Sequence, residues 1–135
     1  MTSKEKISVS PFDVFLNDKG IVEAYWNRDV TEVTKEHMMS LRDQLKILGF
    51  GKKLPLFVHS IEFLPLSPDA REYIATEESA KYTLANAIQI DTLAKKLVFN
   101  FILRFSHPKA PTKAFSTREE AFEWLVSIKK KAESL

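Results

Sequence analysis

The apolar positions open with two short clusters of extended character, residues 13–16 and 21–26, separated by the turn formers Asn17-Asp18-Lys19-Gly20, and this predicts a β-hairpin. The spacing then changes to a helical one. Met38, Leu41, Leu45 and Leu48 lie at helical intervals, Asp29 three residues before Glu32 offers a variant of the capping box, and Gly49 closes the helix. The run Leu54-Pro55-Leu56-Phe57-Val58 within residues 53–59 fits a buried strand whose proline stands near its start.

The clearest helix start follows. Ser67 has a capping hydroxyl, Pro68 suits the first helical position, and Asp69 favours the positive end of the dipole, so a helix is predicted over 68–81. Over 83–90, Leu84, Asn86, Ile88 and Ile90 alternate with Ala85, Ala87 and Gln89, which predicts a strand whose small-residue face admits a close helix. Asp91 caps a third helix reaching about residue 105, and its stretch Leu97-Val98-Phe99-Asn100-Phe101-Ile102-Leu103 is apolar nearly all round. After the loop His107-Pro108-Lys109-Ala110-Pro111 comes a short edge strand over 113–115. Ser116-Thr117-Arg118-Glu119 reads as a full capping box, and Ala121, Phe122, Leu125 and Ile128 form the core face of the last helix. The order β-β-α-β-α-β-α-β-α, about five strands with four helices, predicts an α/β protein with a mixed sheet, because parallel neighbours need helical crossovers.

Composition narrows the picture. A length of 135 residues with 44% hydrophobic content and ten Phe supports one packed core, and three Gly with six Pro leave no room for long linkers. The expected organisation is a flexible N-terminus over 1–8 and a single domain over 9–135. A formal net charge of +2 is too close to balance for the phosphate attraction on which nucleic-acid binders rely. The basic run Lys129-Lys130-Lys131 falls at a helix end, where cations complement the exposed carbonyls. Without cysteine, disulfides, thiolate catalysis and Cys-based metal sites are excluded. The polar start and the lack of an apolar run near the ~20 residues of a membrane span lead to the expectation of a cytoplasmic protein.

Several segments together carry a resemblance. Ser67-x-x-Ala70-Arg71-x-Tyr73 and Glu77-x-x-Ala80-Lys81-Tyr82-Thr83 are followed by an apolar helix with Asn100-Phe101 and by the ending Phe115-Ser116-Thr117-x-Glu119-Glu120-Ala121-x-x-Trp124-Leu125. This sequence resembles the SpoIIAA-like fold of STAS domains, and more closely the uncharacterised bacterial STAS/SEC14-like group, over its second half; the first half agrees in element order. The resemblance implies a regulatory or interaction module and a signalling partner. In regulatory STAS domains the helix start after the third strand carries a phosphorylatable serine, which makes Ser67 the phospho-switch candidate. Here Leu64-Pro65-Leu66-Ser67-Pro68-Asp69 lacks both the preceding acidic residue and the following glycine, so capping is the first role of Ser67.

Chemistry is sparse. His37, His59 and His107 are far apart and lack metal-motif spacing, so no metal or cofactor is expected. His59 and Ser60 are adjacent on an extended chain and point to opposite faces. Glu77 and Lys81 read as an i,i+4 pair on a solvated helix face, and Gly49 with Gly51 follows a helix, the wrong end for a phosphate cradle. No catalytic residue is assigned. The apolar third helix remains: it is a fully buried core helix, a self-association surface giving a homodimer, or the wall of a pocket for a small apolar ligand or acyl chain, as the SEC14-like resemblance implies. The interaction or pocket residues are Phe63, Leu66, Tyr73, Val98, Asn100, Phe101, Ile102 and Phe105, with Asn86 and His107 as further polar groups.

Overall fold

A computed structural model of the chain describes residues 7–9, 12–26, 32–59 and 65–134. The hairpin forms as β2 (Phe12–Leu16) and β3 (Val22–Trp26), and β1 (Ile7–Val9) adds an antiparallel strand that the hydropathy pattern does not predict. Ile7 pairs with Val14 and Ser8 with Asp13. In the turn, the Asn17 side-chain oxygen accepts from the amides of Lys19 and Ile21 at 2.9 and 3.0 Å, and Gly20 takes a φ of 77°.

Beyond the hairpin come α1 (Lys35–Leu48), β4 (Leu54–His59), α2 (Pro68–Ile74), β5 (Thr83–Gln89), α3 (Leu93–Ser106), β6 (Thr112–Phe115) and α4 (Arg118–Glu133). The six described strands lie in sequence order β1-β2-β3-β4-β5-β6, parallel from β3 onward. This is the mixed α/β fold that the element order predicts, with six strands in place of about five.

The helix ends differ from the sequence reading in instructive ways. Asp29 lies outside the described residues, and α1 is capped by Thr34: its hydroxyl accepts from the His37 amide at 3.2 Å, while His37 Nδ1 accepts from the Thr34 amide at 3.0 Å. A histidine thus completes the box where Glu32 was expected to. Helix α2 stops at Ile74 instead of near Lys81, because the Thr76 hydroxyl donates to the Tyr73 carbonyl (2.6 Å) and the Ser79 hydroxyl to the Ile74 carbonyl (3.1 Å). Those side chains occupy acceptors that a continuing helix would use. The Glu77–Lys81 helix pair consequently does not form; Glu77 approaches Lys109 at 4.0 Å. Thr92 replaces Asp91 as the cap of α3, and Asp91 pairs with Lys95 at 3.4 Å. For α4 the cap moves by one residue to Thr117, whose hydroxyl accepts from the Glu120 amide at 3.2 Å.

Side chains divide the core between the two faces. On one, Val14, Val22, Ala24, Leu56 and Val58 pack against Leu41 and Leu45 of α1. On the other, Phe57, Ala85, Ala87 and Phe115 meet Ala121 and Leu125 of α4. The alanine face of β5 thus receives a helix closely, as its small residues predict. Successive right-handed crossovers advancing one way across the sheet put α1, α2 and α3 together on one face and leave α4 alone on the other.

Candidate functional site

Between α1, α2, α3 and the sheet lies a partly enclosed cavity of about 150 Å³. Its lining is mostly apolar: Leu41 and Leu45 from α1, Leu66 and Tyr73 around α2, Ile88 from β5 and Ile90 just after it, and Phe99 and Leu103 from α3. Leu66 is placed by a short bridge to Val33, in which the Val33 amide donates to the Pro65 carbonyl and the Ser67 amide to the Val33 carbonyl, both at 2.9 Å. Three polar residues matter for its chemistry. Arg42 Nη1 donates to Glu78 Oε1 at 2.7 Å and to the Tyr73 hydroxyl at 3.3 Å, while Nη2 meets Asp43 Oδ1 at 2.9 Å. Asn86 Nδ2 donates to Thr112 Oγ1 at 3.2 Å. Burial pushes the Tyr73 hydroxyl above its ordinary pKa.

The opposite side of α3 is a second feature. Leu93, Leu97, Val98, Phe101 and Phe105 are all more than half exposed, from 54% at Val98 to 70% at Phe105, and the Phe101 and Phe105 rings meet edge to face at 5.1 Å. The exposure follows from position: α3 packs on β6 at the border of the sheet, so one side has no neighbouring element among the described residues. The helix carries Lys95, Lys96 and Arg104 and no carboxylate.

The residues singled out from sequence therefore separate. Leu66 and Tyr73 line the cavity, and so does Asn86. Val98, Phe101 and Phe105 belong to the outer face, with Ile102 half-buried beside them. Asn100 faces neither: its side chain accepts from the Ala114 amide at 2.9 Å and donates to the Ala114 carbonyl at 3.3 Å, taking the place of a further strand along β6. His107 ends α3 in the left-handed region at φ 47° and is absent from the cavity lining. Ser67 is buried as the N-cap of α2, where its hydroxyl accepts from the Ala70 amide at 3.2 Å and donates to Asp69. Phe63 and Ser60 lie outside the described residues.

A polar group that sequence reading missed sits under the N-terminus of α4. Glu23, only 2% exposed, accepts from Arg118 Nη1 (2.7 Å), the Tyr25 hydroxyl (2.7 Å) and Asn17 Nδ2 (2.9 Å). Arg118 also lies 4.2 Å from the Phe122 ring centre. Burial by itself would raise the Glu23 carboxyl, but the hydrogen bonds from Arg118, Asn17 and Tyr25 together outweigh it and hold the group below its ordinary value. Burial and the neighbouring carboxylate push Tyr25 up to about 12, so it stays a donor. His59, beside Tyr25 at 5.1 Å between ring centres, is held low by burial and by the Arg118 charge. A carboxylate with each oxygen satisfied is a lock between β3 and α4. Its one sequence signal was a glutamate inside the apolar strand Val22-Glu23-Ala24; its partner lies 95 residues away.

Among the described residues no group of three or more His, Cys, Asp or Glu is placed to hold a metal ion, and no helix is long and apolar enough to cross a membrane. Residues 15–129 match a family model described as a domain of unknown function, DUF7793. Among curated proteins none matches the sequence. A similar solved structure is that of an uncharacterised protein from the DUF3478 family with a SpoIIAA-like fold, from Shewanella loihica PV-4: identity is 16%, coverage 93% of this chain and 98% of that one, and the TM-score 0.53. At that identity the likeness establishes the fold.

Proposed function

Given that the chain belongs to the DUF7793 family and carries a SpoIIAA-like fold, neither of which assigns a chemistry, we propose that it is a non-enzymatic interaction module of the cytoplasm that self-associates through the outer face of α3. The observation that carries this reading is the line of five large apolar side chains left exposed on one helix. Together they present on the order of 600 Å² of apolar surface, since a large side chain carries roughly 150–250 Å². A patch of that extent stands at the upper end of what a monomer exposes, where such patches are often functional, and it approaches the ~800 Å² per partner of a standard interface. A second copy is the simplest occupant because closed two-fold pairs are the commonest assemblies. Strand addition along β6 is a poorer route, because Asn100 already occupies both backbone groups of Ala114 on that border.

Sedimentation velocity of the purified chain tests the reading. The expected result is a dimer at micromolar concentration that becomes a monomer in Phe101→Glu/Phe105→Glu, with an unchanged far-ultraviolet spectrum. A wild-type chain that stays monomeric at ~100 μM, near the weak end of specific interfaces, would refute it.

A further inference from the structure

The inner side of α3 supports an inference that does not depend on the outer one. We propose that the cavity between α1, α2, α3 and the sheet binds a small neutral molecule: an apolar body about the size of one aromatic ring, carrying a single hydrogen-bonding group. Its size comes from the volume. At about 150 Å³ the space is far larger than the voids of a close-packed core, and an apolar cavity of about that size accepts benzene. Left empty, its Leu, Ile and Phe walls forfeit contacts that an apolar guest restores.

The hydrogen-bonding group is set by Tyr73 and Asn86. The Tyr73 oxygen accepts from Arg42, and among the described residues its own proton has no acceptor. Asn86 spends an N–H on Thr112, and among the described residues its side-chain oxygen has no donor. A hydroxyl on the guest, which both donates and accepts, matches either residue.

Charge decides the class. Among the described residues of the lining Arg42 is the only charged one, and Asp43 and Glu78 both pair with it, so one guanidinium faces two carboxylates. Among the described residues no cation is left for an acid, and an unpaired anion in an apolar cavity is strongly disfavoured. A fatty acid or another carboxylate is therefore the wrong guest, and a neutral alcohol or phenol the right one.

Phenol and benzoate have the same ring and differ in charge at neutral pH. Titrating each into the 135-residue chain at pH 7, followed by amide and methyl shifts in NMR, should give saturable phenol binding at least tenfold tighter than benzoate, with the shifts at Leu66, Tyr73, Ile88 and Leu103. Tyr73→Phe should weaken phenol several-fold and leave toluene unchanged, while Leu103→Trp, which fills the space, should abolish both. If Leu103→Trp fails to fold, the conservative Tyr73→Phe comparison still decides. Phenol that never saturates, benzoate binding as tightly as phenol, or shifts confined to other surfaces would each overturn the assignment.

Discussion

At the scale of single residues, Glu23 is the most consequential side chain, because it places a carboxylate inside the sheet and depends on a residue from the far end of the chain. Arg118→Ala leaves that carboxylate with two neutral donors, and the expected loss is about 2–3 kcal/mol in chemical denaturation. The pH dependence has a definite sign. The folded carboxyl titrates below its ordinary value of 4.5, so its contribution is complete above that pH and fades as pH falls through the lower folded value. The stability difference between wild type and Glu23→Gln should therefore hold steady at neutral pH and shrink as the pH falls below the ordinary carboxyl value; a constant difference would contradict this account. Phe50 is the opposite case, a residue at odds with its surroundings. It is 94% exposed at φ 51°, a region that costs a residue with a Cβ about 1 kcal/mol. Phe50→Asn should raise stability by up to that amount, read as a shift in urea midpoint.

Among the elements, caps and borders carry the testable content. The α4 start could be read one residue early from sequence, since Ser116 and Thr117 each stand three residues before a glutamate, and only the backbone path selects Thr117. Thr117→Ala should cost about 1 kcal/mol and Ser116→Ala a few tenths. Equal losses from the two would count against the assigned cap. The β6 border is held in a different way. Asn100 pairs with both the amide and the carbonyl of Ala114, so Asn100→Ala should cost about 1–2 kcal/mol and expose a strand edge. Light scattering on mild heating should then show earlier aggregation than in wild type. Asn100, drawn from sequence as a pocket residue, is thereby a guard of the sheet.

For the whole molecule, α3 separates two environments, a cavity on its inner side and a bare apolar face on its outer side. Lys95 is paired with Asp91, but Lys96 and Arg104 have no carboxylate on the helix, so two copies meeting there bring net positive charge together. The dimer should therefore tighten as salt rises from about 50 to 500 mM, because screening weakens the repulsion; weakening with salt would point to an acidic partner instead. Periodicity, turn residues and capping chemistry determined on their own the hairpin, the four helices, the alternating order and the fold class, because those signals act between residues a few positions apart. The alanines of β5 even announced a helix close to them. What only the tertiary structure decided was the strand order, the early end of α2, the roles of Asn100 and His37, the Glu23–Arg118 pair and the division of α3 between cavity and surface. Each depends on which distant segments become neighbours, and a side chain's burial and partners are properties of that neighbourhood, not of the residues beside it in the chain.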